Sequence, residues 1–183
     1  MAILALYFLS PVIGEMVSGS SPPSEFFTVF GLLVLPLLYG GGALIIRELS
    51  VIWGKGWASI LIMGLAYGII EEGLMVRSFF DPGWVDIGAL GEYGRFLGVN
   101  WVWTVMLTLF HCMFSIAVPI LLVNIAMPDQ AGKRWISDRW LKRLGAAFIV
   151  NVIVGFLLFT RYSPGPLECS VAAIMVISLF AIA

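Results

Sequence analysis

The stretch GLAYGIIEEGLMVR, residues 64–77, decides how this chain folds. Two adjacent carboxylates, Glu71 and Glu72, stand inside an apolar run, residues 57–80, that is long enough to cross a bilayer. An ionisable group at that depth costs roughly 2.5–3.5 kcal/mol on insertion scales, so it normally faces a bundle interior and has a partner there. Gly64, Gly68 and Glu72 recur four residues apart, which stacks two glycines and one carboxylate on one helical face. Small residues at that spacing let a second helix backbone approach closely. The pattern predicts that Glu72 points into a protein interface and away from lipid.

The rest of the chain suits such a bundle. Of its 183 residues, 61% are hydrophobic and 11% charged, against about 25% charged in a soluble domain. The reading is an all-α, polytopic transmembrane helical bundle forming a single integral membrane domain, residues 1–183. Windows of about 20 residues per crossing predict about six membrane helices, over residues 2–17, 26–46, 57–80, 101–127, 144–159 and 169–183. The first run lacks the positive leader and small-residue cleavage site of a signal peptide and reads as a retained helix. The last run stops without a polar flank, which leaves the natural C-terminus open.

Loop charge predicts orientation, because short cytoplasmic loops collect Lys and Arg. Lys133, Arg134, Arg139, Lys142 and Arg143 follow the fourth run, and Arg47 and Lys55 follow the second. The alternate connections carry Glu15, Glu25, Asp81, Asp86, Glu92 and Glu168 against Arg95 and Arg161. Both termini are therefore expected on the cytoplasmic side, in the plasma membrane of a prokaryote. The partner expected throughout is the lipid bilayer, with a membrane-protein partner or a peptide substrate as the further candidates. A formal charge of −1 and the lack of any basic run argue against nucleic acid.

Two connections on the outer side look more ordered than linkers. Residues 81–100 are long and rich in glycine and aromatics, as functional or interfacial loops are. Trp84, Tyr93, Trp101 and Trp103 are expected there as headgroup anchors. The Ser, Gly and Pro of residues 14–27 predict a tight turn able to cover an outward cavity. Arg47 and Glu48 read as an interfacial anchor at the end of the second helix, or else as a cytoplasmic gate.

His111 is the chain's single histidine. Thr104, Thr108, His111, Cys112 and Ser115 make one polar stripe on the fourth helix, which serves either as interhelical glue or as a site. At 1.5 Å per residue, Glu72 lies about 12 Å below the outer end of its helix and His111 about 15 Å below the end of the next. The two helices are sequential and antiparallel, so Glu72 and His111 are expected to face each other. Close carboxyls in a low dielectric resist ionising together, so one of Glu71 and Glu72 is expected to hold a proton near neutral pH unless a cation is bound nearby. Asn151, in line with Ala147 and Gly155, is expected to line the same cavity, with Thr108 and Arg77 as further substrate contacts.

No metal site is expected. Catalytic zinc usually takes three protein ligands, and Glu71, Glu72, His111 and Cys112 could assemble one only across two helices. No cofactor is indicated. Cys112 and Cys169 lie in apolar runs and read as buried core thiols.

IIEEGLMVR, residues 69–77, and LTLFHCMFS, residues 107–115, resemble in content and order two motifs of the CAAX protease and bacteriocin-processing family of intramembrane proteases. The resemblance covers roughly residues 64–159. It implies that Glu72 activates water and that His111 supports the transition state or a metal. Arg77 follows Glu72 by five residues where the family has four, Leu107 stands where it has an aromatic, and its second histidine has no counterpart. In a regular helix the extra residue turns Arg77 about 140° from the carboxylate rather than about 40°.

Three readings follow. The chain is a membrane-embedded hydrolase or an inactive descendant of one, with Glu72 as base and His111 as its partner. Alternatively it is a proton- or ion-coupled carrier, or a binding subunit of a membrane assembly. In the third reading the polar groups only hold the bundle together.

Overall fold

The computed structural model describes residues 1–85, 87–159 and 162–183. The expected acidic Asp86 and basic Arg161 lie outside the described residues. Among the described residues, six longer helices run in sequence: α1 (Ala2–Val17), α2 (Val29–Ile52), α3 (Trp57–Met75), α4 (Trp101–Ala126), α5 (Asp138–Leu158) and α6 (Pro166–Ile182). The second to fifth are long and apolar enough to cross a membrane, and α1 and α6 are shorter. This is the membrane helical bundle that the composition requires.

α3 is the most enclosed span and α5 the least, with two thirds of one apolar window buried against 17% of the other. α3 packs on α4 and α6, α1 on the middle of α2, and α5 on α2 and the end of α3. The α3–α4 contact runs over the two glycines. A Cβ on Gly64 would meet the Cys112 backbone at 3.2 Å, and one on Gly68 would meet Thr108 Cα at 3.0 Å. The outer faces stay apolar and open, as Leu33, Leu109 and Leu157 show, which suits lipid contact.

Four spans open into wider π-helical turns: Val12–Val17, Pro36–Gly40, Ile70–Met75 and His111–Ala117. Proline accounts for three of them, because it brings no N–H to bond the carbonyl four residues back. Pro11 deprives Tyr7, and Gly40 of α2 packs against that carbonyl so closely that a side chain there would overlap it. Pro36 opens the second turn. Pro119 deprives Ser115, whose carbonyl instead accepts the Ser10 hydroxyl of α1 at 2.6 Å. The Ile70–Met75 turn has no proline; Gly73 lies there with the Phe79 ring 3.2 Å from its would-be Cβ.

Several expected boundaries move. α2 runs on to Ile52, so Arg47 and Glu48 lie within the helix and are buried at 2% and 0% exposure rather than anchored at an interface. Their charges are met inside the protein. Arg47 pairs with Glu48, donates to the Gln130 carbonyl at 3.0 Å and stacks on the Trp135 ring at 3.6 Å. Glu48 accepts the backbone N–H groups of Trp135 and Ile136. α5 begins at Asp138, which puts Arg139, Lys142 and Arg143 on its first turns rather than in a loop. α3 ends at Met75, not Phe80, because the chain turns back through Arg77 at φ 65°.

After that turn, residues 78–85 and 87–100 fold over the end of the bundle. They include a short hairpin of β1 (Arg95–Phe96) and β2 (Val99–Asn100), and the Asn100 N–H bonds the Phe79 carbonyl at 2.9 Å. Tyr93 and Trp101 are exposed, as interfacial anchors would be. Trp103 is not an anchor: it is 6% exposed, and its indole N–H donates to Ser78.

Candidate functional site

The wide turns carry the polar groups that meet at the centre. A π turn inserts an extra residue and shifts the side chains beyond it around the helix, and such turns gather at functional sites. Glu15 stands on the turn of α1, Tyr39 on that of α2, Glu71 and Glu72 on that of α3, and His111 and Ser115 on that of α4.

His111 is the hub, 3% exposed. Its Nε2 lies 3.0 Å from Glu72 Oε1, so the facing pair that the helix depths predict is present. Its Nδ1 lies 3.0 Å from Ser115 Oγ and 3.2 Å from Glu71 Oε2. That last contact is close but not aligned, and Glu71 Oε2 is buried without a hydrogen bond. The Tyr67 hydroxyl is buried in the same condition, and its ring stacks edge-on to the imidazole at 6.2 Å. A buried carboxylate oxygen or hydroxyl without a hydrogen bond is costly, and such atoms mark places where water, an ion or a ligand belongs.

Glu72 is held from its other side. Ser78, brought back by the turn at Arg77, donates its hydroxyl to Glu72 Oε2 and accepts the Trp103 indole N–H at 3.0 Å. Glu15 also has both oxygens engaged, by the Tyr39 hydroxyl and by Ser21 Oγ at 2.5 Å. Sequence reading placed Glu15 in a connection and missed Tyr39, Ser78 and the role of Trp103. Only Pro11 and Pro36, each beside one of these turns, offered a signal.

Of these groups, Glu15, Tyr39, Glu71, Glu72 and His111 form the floor of a cavity of about 610 Å³. Its walls include Leu38, Leu107, Phe110, Trp84 and Phe159, and its rim includes Ser20, Ser21, Glu25 and Thr28 from the α1–α2 connection. The expected cover of a cavity by residues 14–27 is therefore where the cavity opens.

The three expected substrate contacts lie elsewhere. Asn151 spends its amide on the Val34 carbonyl at 3.2 Å and ties α5 to α2. Thr108 lies beneath Gly68 in the α3–α4 contact, with its hydroxyl buried and unpartnered. Arg77 is turned away by its left-handed backbone, with its guanidinium 4.5 Å from the Phe156 ring and its Nε and Nη2 unbonded. Burial pushes that guanidinium below its ordinary value. None of the three lines the cavity.

The groups able to hold a metal are Glu71, Glu72 and His111, whose donor atoms lie within 4.8 Å of one another. One imidazole and two carboxylates are a donor set that catalytic zinc accepts. Cys112 is not part of it, since its thiol donates to the Leu61 carbonyl at 3.3 Å. The same cluster can move a proton between carboxylate and imidazole without any metal.

Comparison with known proteins adds the family and little chemistry. The sequence model of an uncharacterized membrane protein family matches residues 4–183. An uncharacterized protein of Archaeoglobus fulgidus is 28% identical over 122 residues, which is 66% of this chain and 37% of that protein. The chain thus spans well under half of that relative's length. No solved structure matches.

Proposed function

The chain belongs to this uncharacterized membrane protein family, and we propose that it works as an intramembrane hydrolase with a peptide segment as substrate. The observation that carries the reading is the 3.0 Å contact of Glu72 with His111 on the floor of an open cavity. The reach that acid–base catalysis requires is about 3 Å. The resemblance of residues 69–77 and 107–115 to the CAAX protease and bacteriocin-processing family supports the same assignment.

In the proposed reaction a water at the cavity floor gives a proton to Glu72 while its oxygen bonds to the scissile carbonyl carbon. His111 steadies the charge that develops. The C–N bond then breaks, and the proton held by the Glu72–His111 pair passes to the leaving amine. Glu71 completes the acidic cluster. The distribution of Lys and Arg supports cavity opening on the external face with both termini cytoplasmic.

A second reading, a proton-coupled carrier, is favoured by the hydroxyl and carboxylate groups of Ser21, Glu15 and Tyr39 between the rim and His111. One experiment separates the two. Protein reconstituted in vesicles is given a mixed peptide library, and new termini are read by mass spectrometry while a trapped pH dye reports proton entry. Cleavage that Glu72→Gln abolishes supports the hydrolase. Proton entry that Glu72→Gln abolishes, with no cleavage, replaces it by the carrier.

A further inference from the structure

The charges around the cavity are one-sided. Glu15, Glu25, Glu71 and Glu72 line it, and no lysine or arginine does among the described residues. The one basic group there, His111, is already in contact with two of the carboxylates. Cavity walls of low dielectric focus such a field and raise the local concentration of ions of the opposite sign.

Two further features point to an organic cation. Glu71 is 4% exposed and its Oε2 meets His111 Nδ1 at 3.2 Å without an aligned hydrogen bond, so a single imidazole stands against the carboxylates of the cavity. The lining also includes the aromatic side chains of Trp84, Trp103, Phe110 and Phe159, against which a cation with an apolar body can rest. An anion would meet four carboxylates and find no counter-charge.

We propose that this cavity binds an organic cation, an ammonium or guanidinium group on an apolar body, with the charged head at Glu71 and Glu15 and the body along the aromatic wall. The assignment rests on reading the cavity as the substrate site, and it makes the accepted substrate one that presents a basic side chain or amine head beside Glu72 and His111.

Benzylammonium, benzyl alcohol and benzoate match in shape and differ in charge. Equilibrium dialysis of each radiolabelled probe against purified protein in zwitterionic nanodiscs, with empty nanodiscs subtracted, measures binding without turnover. Benzylammonium is expected to bind about tenfold or more tighter than benzyl alcohol, with benzoate weaker still. Glu71→Gln and Glu15→Gln, each checked for wild-type elution, are each expected to weaken benzylammonium about tenfold. The proposal is overturned if benzoate or benzyl alcohol binds as tightly as benzylammonium, or if the folded variants keep full affinity. If neither variant folds, the ranking of the three probes on the wild type decides alone. Selective binding with no cleavage of any peptide keeps this inference and removes the hydrolase. Cleavage with equal binding of all three probes does the reverse.

Discussion

Ser78 reaches Glu72 although five residues and the end of a helix separate them. The reach exists because Arg77 adopts a left-handed backbone, φ 65°, that folds Ser78 back under the carboxylate it has just passed. Trp103 of α4 then fixes the Ser78 hydroxyl. One carboxylate is thereby held between α3 and α4 by hydrogen bonds at both of its oxygens.

Removing the hydroxyl tests that arrangement. Ser78→Ala leaves Glu72 Oε2 without its donor, and hydrogen bonds to charged groups contribute about 1.5–3 kcal/mol. A thermal-melt shift of that size is expected in detergent, together with loss of any Glu72-dependent turnover. Ser78→Thr, which keeps the hydroxyl, should retain most of both.

The Glu72–His111 contact is open to a double-mutant cycle. Glu72→Gln, His111→Asn and the double variant should give a coupling of about 1–3 kcal/mol, as groups in one buried network do. Additive melting shifts would show that the two side chains are neighbours without interaction.

At the opposite end of the bundle, Glu48→Ala is expected to be among the most destabilising single changes. It strands Arg47, 2% exposed, and frees the N–H groups of Trp135 and Ile136. Breaking a buried pair costs about 3–5 kcal/mol. Arg134→Ala, which opens the exposed pair with Asp138, should cost less than about 1 kcal/mol. Parallel denaturation of the two variants measures the contrast.

Two glycines should answer oppositely to a methyl group. Gly68→Ala drives a Cβ to 3.0 Å from Thr108 Cα, and overpacking of this kind costs about 1–3 kcal/mol. Gly145 in α5 has nothing within 4 Å of that position, so Gly145→Ala should stabilise by roughly 0.5–1 kcal/mol. Melting temperatures of the pair check both signs.

Local chemistry and periodicity carry a definite part of this protein. Apolar runs long enough to span lipid set the bundle, because a chain in hydrocarbon must satisfy its backbone within helices. The spacing of Gly64, Gly68 and Glu72 set which face of α3 meets α4, and antiparallel depth set Glu72 opposite His111. Each of these follows from a regular helix.

Folding in three dimensions settled what a regular helix cannot express. Residue phase is lost at each π turn, so Glu15 and Tyr39 came inward, and the left-handed backbone at Arg77 buried that side chain against Phe156. Asn151 found the Val34 carbonyl, and Arg47 found Glu48 and Trp135, since a buried polar group takes whichever partner packing brings within reach. Apart from the neighbouring Glu48, those partners lie far along the chain, 83 to 117 positions away for the Arg47–Gln130 and Asn151–Val34 contacts, and no pattern within a single span encodes them.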